Sequence, residues 1–332
     1  MSNIKWLFIV IGMATLSQHI NAKDNLFDFS LQAVPEESGL RFEKITDDAD
    51  CVNDKDLVGS NAKSWWIGPQ LALSPDGSRI AYITHRNRMQ NIMVKPTIRG
   101  GASIQRTQRV NVKDLSWSRD GKTLCFTEYR NGHYGIYLTS ADQGFIVRQI
   151  NNGSDDDYCG VLFNGGNKVI FHRKEGRGNF GLWEYDFKTN MFSNFSRGLT
   201  PTLIPGKENM LYCTRITSNG RGEIWRINYQ TGSEELILGQ PDNSFSTPQL
   251  SPDGQWIICT GSSVSELTAQ SNTDVYAIRV DGTQFTQLTF HPGNDLSPIW
   301  SPDGKDIYFI SQRGSAEKYY NVWKMSFNNF NH

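Results

Sequence analysis

Arginine recurs at one position of a repeated sequence unit, and a recurring guanidinium group is suited to binding anions. Five of six units place it at or just after the end of an apolar segment, and these residues are Arg86, Arg130, Arg173, Arg215 and Arg313. A ring of such groups would bind an acidic protein segment or a carboxylate ligand. The sequence also allows each arginine to pair with an Asp or a backbone carbonyl within its own unit.

A second candidate site is the long segment that precedes the first repeated motif. Thr46 to Ser74 spans 28 positions, whereas the equivalent stretch from Thr289 to Ser301 spans 12. The insertion carries the candidate binding residues Asp47, Asp48, Asp50, Trp65 and Trp66. An acidic loop of this kind contacts a partner or holds a calcium ion, although the spacing does not follow a calcium-loop pattern. A solvated loop that folds over the rest of the protein is the alternative interpretation.

The other residues that could carry chemistry are scattered. The chain has six His and five Cys, without a His-x-His, HExxH, CxxC, GxSxG, P-loop or dinucleotide motif. We therefore expect no metal site and no cofactor, although histidines from different units could still assemble a metal site. Cys125, Cys213 and Cys259 lie in apolar segments and are predicted to be buried free thiols, whereas Cys51 and Cys159 could form a pair.

Composition excludes several classes of protein. The 332 residues include 33 Lys and Arg against 34 Asp and Glu, which argues against a broadly basic nucleic-acid-binding protein. A hydrophobic content of 38% argues against a disordered chain, and nine Trp favour β structure. Length alone would favour two domains.

The first 22 residues have the pattern of a secretory signal peptide. Lys5 precedes the apolar run WLFIVIGMATL, and Ala22 suits the residue before a cleavage site. The run is too short for a membrane-spanning helix. We therefore expect a periplasmic or secreted mature protein without a membrane span.

A four-residue turn motif organises the rest of the chain. Ser-Pro-Asp-Gly, or Ser-Arg-Asp-Gly in one case, begins at Ser74, Ser118, Ser251 and Ser301. The first two motifs are 44 residues apart and the last two are 50 apart, so the central gap of 133 predicts two degenerate units. Their turns lie at 164–167 and 205–209, each followed by an apolar segment.

Each unit of 40–50 residues has the pattern of four short strands. The turn motif separates the first strand from an apolar second strand, such as RIAYIT or DIYFIS; an aromatic third strand and a weaker fourth follow. The predicted fold is an all-β, six-bladed β-propeller of four-stranded blades.

The last unit stops after its third strand, which predicts how the ring closes. Phe42–Thr46 (FEKIT) is similar to the fourth strand of the preceding unit, Phe285–Thr289 (FTQLT). We expect Phe42–Thr46 to be the outer strand of blade 6. The predicted organisation is a signal peptide over 1–22, an extension over 23–41 and a single propeller over 42–332.

The segment FTQLTFHPGNDLSPIWSPDGKDIYFISQR resembles the WD40-like propeller repeat of the TolB family and of dipeptidyl-peptidase propellers, and the resemblance covers roughly residues 40–327. It implies a periplasmic protein-binding role in the Tol–Pal envelope system. The α/β domain of TolB and the hydrolase domain of the peptidases are not found in this sequence. The His-x-His arrangement of oligogalacturonate lyases, which use a related propeller, is not seen either.

These observations predict an exported, non-enzymatic, envelope-associated scaffold that binds a protein partner. We expect a monomer that does not bind nucleic acid. The alternative is a carbohydrate- or peptide-directed lyase or hydrolase with a site at the mouth of the propeller channel. A ligand sensor is a third interpretation.

Overall fold

Six antiparallel four-stranded sheets make up the structure, which is a computed structural model. It describes residues 37, 39–48, 52, 68–86, 89–108, 111–144, 146–150, 153–176, 178–204, 206–264, 271–315 and 319–327. Each sheet is one blade, so the predicted six-bladed propeller is confirmed. The predicted signal peptide lies outside the described residues.

The strands of the first three blades follow the predicted order. Blade 1 comprises β2 (Leu71–Leu73), β3 (Arg79–Arg86), β4 (Met89–Pro96) and β5 (Ile104–Gln105). Blade 2 comprises β6 (Val112–Trp117), β7 (Thr123–Arg130), β8 (His133–Ser140) and β9 (Ile146–Gln149). Blade 3 comprises β10 (Asp157–Phe163), β11 (Lys168–Lys174), β12 (Phe180–Asp186) and β13 (Met191–Arg197), with a 3-10 turn at Asn164–Gly166.

The second half repeats the arrangement and ends with a composite blade. Blade 4 comprises β14 (Leu199–Ile204), β15 (Lys207–Ile216), β16 (Gly222–Asn228) and β17 (Ser233–Leu238). Blade 5 comprises β18 (Asn243–Leu250), β19 (Trp256–Val264), β20 (Ser271–Arg279) and β21 (Thr286–Gln287). Blade 6 comprises β22 (Asp295–Trp300), β23 (Asp306–Ser311), β24 (Asn321–Ser326) and β1 (Phe42–Lys44).

The N-terminal strand closes the ring as predicted. β1 pairs antiparallel with β24, with Phe42 opposite Met325 and Lys44 opposite Trp323. The ladder continues beyond β1, since the Ile45 amide donates to the Val322 carbonyl at 2.8 Å. Phe42–Lys44 is assigned as the strand, so it is two residues shorter than expected.

The turn motif owes its shape to a small hydrogen-bond network. In blade 2 the Ser118 hydroxyl donates to Asp120 at 2.6 Å and accepts from the Thr123 amide at 2.9 Å. Asp120 also accepts from the Lys122 amide, and Gly121 adopts a φ of 73°. The same Ser–Asp bond holds the motif in blades 1, 5 and 6. The motif therefore reverses the chain between the first two strands of these four blades.

The hydrophobic core of the described residues forms seven clusters between neighbouring blades. Blades 1 and 2, for example, share a cluster that includes Ile83, Phe126 and Tyr137. Two separate clusters, of six and two buried residues, lie between blades 3 and 4, whereas every other pair of neighbouring blades shares one cluster of eight to eleven. Cys125, Cys213 and Cys259 are buried free thiols, as predicted, and Cys159 is also free and buried.

The inner strands surround a central channel. In blades 2 to 6 the pairing of each inner strand with the second strand shifts register. The residue four or five positions before the turn adopts a positive φ there; these residues are Asp114, Cys159, Thr200, Thr247 and Ser297. Within the described residues, no helix is long and apolar enough to cross a membrane.

Candidate functional site

The propeller has two ends, which we name by their connections. The turn face carries the turns between first and second strands. The loop face carries the loops between second and third strands and between blades. The five candidate arginines lie at the loop face, at or near the ends of the second strands: Arg86 in β3, Arg130 in β7, Arg173 in β11, Arg215 in β15 and Arg313 just after β23. The side chain of Arg86 is not among those described.

Arg313 is the most buried of these arginines. Its guanidinium forms two bonds with Glu37, at 2.9 and 3.0 Å, and a third with Asp295 at 2.6 Å. It also lies over the ring of Phe42, 4.1 Å from the ring centre. Burial alone would lower the pKa of Arg313, but Asp295 and Glu37 raise it above its ordinary value. This arginine therefore joins the segment before β1 to blade 6.

Arg173 makes an equivalent bidentate pair within blade 3. Its Nε and Nη2 donate to the two oxygens of Asp157 at 2.7 and 3.0 Å, and Asp155 lies 3.0 Å from Nη1. The guanidinium also stacks 4.6 Å from the ring centre of Trp183. Burial raises the pKa of Asp157 to about 6, although the bonds from Arg173 act in the opposite direction.

Arg215 and Arg130 complete the pattern with different partners. Arg215 donates to Glu234 on the outer strand of blade 4, at 2.8 and 2.6 Å, and lies over Trp225. Arg130 donates to Glu128 on its own strand, at 3.0 and 2.8 Å. All four described arginine side chains are therefore paired with carboxylates. This agrees with the alternative interpretation of the sequence, in which the arginines have partners within the protein. A binding role for them stays a prediction.

The first residues of the acidic segment are hydrogen-bonded to blade 6. Asp48 accepts hydrogen bonds from Lys44 at 3.0 Å, Ser315 at 3.0 Å and Asn321 at 2.7 Å. These bonds outweigh the effect of burial and lower the pKa of Asp48. Asp47 is next to it in the chain, whereas Asp50, Trp65 and Trp66 lie outside the described residues.

A small recess at the loop face brings together residues that the sequence did not connect. It has a volume of about 120 Å³ and is lined in part by Lys113, Asp114, Tyr158, Cys159 and His172. Burial raises the pKa of Cys159 well above its ordinary value and lowers that of His172 to about 3. An activated Cys–His pair requires a lowered thiol pKa, so these shifts argue against such a pair in the recess.

The channel opens at the turn face into a larger cavity of about 420 Å³. All six inner strands contribute to its lining, which includes Leu73, Trp117, Leu203, Leu250 and Trp300. Prolines of the turn motifs surround it, and among the described residues of the lining only Arg119 is charged. The mouth is therefore mostly apolar, unlike the charged loop face.

Sequence reasoning missed this apolar mouth although a signal was present. The position before the turn motif is Leu73, Trp117, Leu250 and Trp300 in the four regular units. A large apolar residue thus recurs at the end of these four inner strands. Because the inner strands run alongside the channel axis, such residues meet at one mouth of the channel.

Comparison with known proteins agrees with the architecture. The model of the TolB beta propeller domain matches residues 198–331, which hold blades 4 to 6. This part of the chain is similar to the TolB propeller domain, and in that sense we refer to the six-bladed ring as TolB-like. The rest of the ring repeats the same unit.

The TolB-like propeller is similar to one part of its curated relatives. The Tol-Pal system protein TolB of Francisella tularensis subsp. mediasiatica is 28% identical over 96 residues, which are 29% of this chain and 21% of that protein. The TolB of subsp. holarctica is 29% identical over the same length. The match thus spans about a fifth of these relatives.

Solved structures resemble the TolB-like propeller in fold. TolB from Acinetobacter baumannii has a TM-score of 0.56 at 17% identity, covering 76% of this chain and 65% of that one. An oligogalacturonate lyase from Vibrio parahaemolyticus has a TM-score of 0.53 at 10% identity, covering 87% and 97%. At such low identities these likenesses concern the fold alone.

Proposed function

We propose that this TolB-like propeller is an exported, periplasmic binding module that captures an envelope protein and carries out no reaction itself. The observation that carries the proposal is the apolar mouth of the channel at the turn face. Aromatic and aliphatic side chains in a concave site are the usual anchors of a protein interface. The names of the curated relatives place them in the Tol-Pal system, which supports an envelope partner.

The lining of the mouth indicates the chemistry of the bound segment. Arg119 stands where the other regular turns have Pro75, Pro252 and Pro302, and its side chain is exposed. We infer that the partner inserts an apolar side chain into the mouth and places a carboxylate beside Arg119. At the loop face, Arg130 is the most exposed of the paired arginines, with 41% of its side chain accessible, and it is the one we propose for an additional contact.

The enzymatic alternative has less support. Within the described residues, no group of three His, Cys, Asp or Glu side chains is placed to hold a metal ion. The recess at the loop face holds one carboxylate and one imidazole, and burial drives both toward their neutral forms. No observation at either mouth favours a specific reaction.

The proposal is tested by quantitative capture from the protein's own envelope fraction. Tagged wild-type protein, Leu73→Glu and Arg119→Glu are incubated with detergent-extracted envelope, and captured proteins are compared by mass spectrometry. We expect at least one protein to be retained by the wild type and reduced about tenfold or more by each variant, because a buried charge or a reversed rim charge opposes the inserted segment.

Ile98→Glu is the matched control, since Ile98 is 71% exposed and does not line the mouth. It should capture the same protein as the wild type. If no captured protein distinguishes the two mouth variants from this control, the proposal is wrong.

A further inference from the structure

Contacts between the turns of neighbouring blades run around only part of the ring. Proline of one motif packs against glycine of the next: Pro302 lies 3.0 Å from an ideal Cβ on Gly77, and Pro75 and Pro252 lie 3.6 Å from Gly121 and Gly304. These contacts join blades 5, 6, 1 and 2. Among the described residues, an added Cβ on Gly254 of blade 5 meets no atom within 4 Å; Pro205 in the turn of blade 4 lies outside them.

A groove opens where these contacts stop. It lies between blades 3 and 4, the two blades with degenerate turns, and has a volume of about 740 Å³. The buried apolar residues between these blades are divided into two separate clusters, of six and two residues. The degeneracy seen in the sequence therefore coincides with a cleft of the size that binds small ligands.

The lining of the groove alternates aromatic faces with polar side chains. Phe195 and Tyr229 are both partly exposed, with ring centres 5.0 Å apart at an angle of 45°. Two carboxamides lie beside them, those of Asn209 and Gln230. Asn209 donates one N–H to Gln230 at 3.3 Å. The second N–H and the carbonyl oxygen of Asn209 are not used by this bond.

The charge of the groove is already balanced. Lys168 is the only basic residue in its lining, and its ammonium group lies 2.5 Å from Glu184 and 3.8 Å from Asp186. An anionic ligand would have to compete with both carboxylates. The groove therefore suits a neutral ligand that combines apolar faces with many hydroxyl groups.

We propose that the groove between blades 3 and 4 binds a neutral oligosaccharide. The C–H faces of a pyranose ring stack on Phe195 and Tyr229, whose ring faces carry partial negative charge. The carboxamides exchange hydrogen bonds with neighbouring hydroxyls, for which they offer both donors and an acceptor. A protein partner fits less well, because protein interfaces concentrate apolar residues at the centre and polar ones at the rim.

The test is a calorimetric titration of the full chain with chitotetraose and cellotetraose as probes. We expect at least one to bind with a Kd below about 10 mM. Tyr229→Leu keeps an apolar side chain but removes the stacking face, and Asn209→Ala with Gln230→Ala removes two amides from the lining. Each variant should weaken binding about tenfold. Tetragalacturonate, which carries one carboxylate per ring, should bind more weakly than the neutral probes.

Tyr129→Leu is the matched control, because Tyr129 also pairs with a tyrosine ring at 5.0 Å but lies at the loop face. It should bind the probes within twofold of wild type. Absence of binding by both neutral probes, or equal binding by wild type and groove variants, overturns the proposal. If the groove variants lose a captured envelope protein instead, the groove is a protein contact. Because Leu73 does not line the groove, Leu73→Glu should still bind the sugar probes, so sugar binding and partner capture can fail independently.

Discussion

At the scale of single residues, the recurring arginines form ion pairs that stabilise the propeller. Each described guanidinium combines a carboxylate partner with an aromatic ring, as Arg173 does with Asp157 and Trp183. Asp157 is fully buried, so it depends on Arg173 for compensation of its charge. Removal of one member of such a pair leaves an uncompensated charge in the interior.

We therefore predict that Arg173→Ala lowers the free energy of unfolding by about 3 kcal/mol. Urea unfolding followed by tryptophan fluorescence measures the change. Arg226→Ala is the control, because Arg226 pairs with Glu235, which is 57% exposed. It should cost less than about 1 kcal/mol. Equal losses of unfolding free energy in the two variants would contradict a stabilising role for Arg173.

The sequence placed these arginines but not their partners. Only two of the carboxylates share a position in the repeat, since Asp157 and Asp295 each begin an inner strand. Glu234 lies on an outer strand and Glu37 precedes β1. The position of each arginine in the repeat can be read from the local sequence. The identity of its carboxylate partner depends on how the strands and blades come together in the folded ring. The pairing could therefore be proposed from sequence only as one of two alternatives.

At the scale of elements, strands with strong local signals were predicted well. All six apolar second strands and the turn motifs stand where the sequence places them. The third strand of blade 1, β4 (Met89–Pro96), has no aromatic residue and was not identified. The outer strands β5 and β21 have two residues each, so their pairing depends on neighbouring blades more than on their own sequence.

The turns also offer a comparison between two glycines in the same motif. Gly77 and Gly254 have φ values of 71° and 73°, so alanine is strained at both. Only Gly77 has a proline 3.0 Å from the added Cβ. We predict that Gly77→Ala costs about 1 kcal/mol more than Gly254→Ala in urea unfolding, because it also pushes blade 6 away from blade 1. Similar costs would show that the turn contacts do not couple the blades.

At the scale of the whole molecule, closure makes one cooperative ring from six similar blades. The length of the chain favoured two domains, but the repeat and the similarity of Phe42–Thr46 to an outer strand predicted a single closed propeller. The bond between Thr46 and Val322 joins residues 276 positions apart. The apolar channel mouth was not predicted, although a large apolar residue precedes each regular turn motif, because the residues form one site only once six inner strands are brought together.

Closure predicts that a variant lacking residues 23–46 is strongly destabilised. It loses β1 and also Glu37, which compensates the charge of Arg313. We expect the Tm to fall by at least about 5 °C in calorimetry. A variant lacking only residues 23–35 keeps both features and is the control, with an expected Tm close to that of the full chain. A normal Tm for the longer deletion would contradict closure by β1.

The pairing of β1 with β24 also has a consequence for the newly made chain. Blades 1 to 5 contain only strands that are close in sequence, so they can fold while synthesis continues. Blade 6 has to wait for β24, and until then β1 has no partner strand. A chain cut short before β24 keeps the last blade open, with unpaired strand edges that invite aggregation or proteolysis. The topology thereby distinguishes full-length copies from incomplete ones.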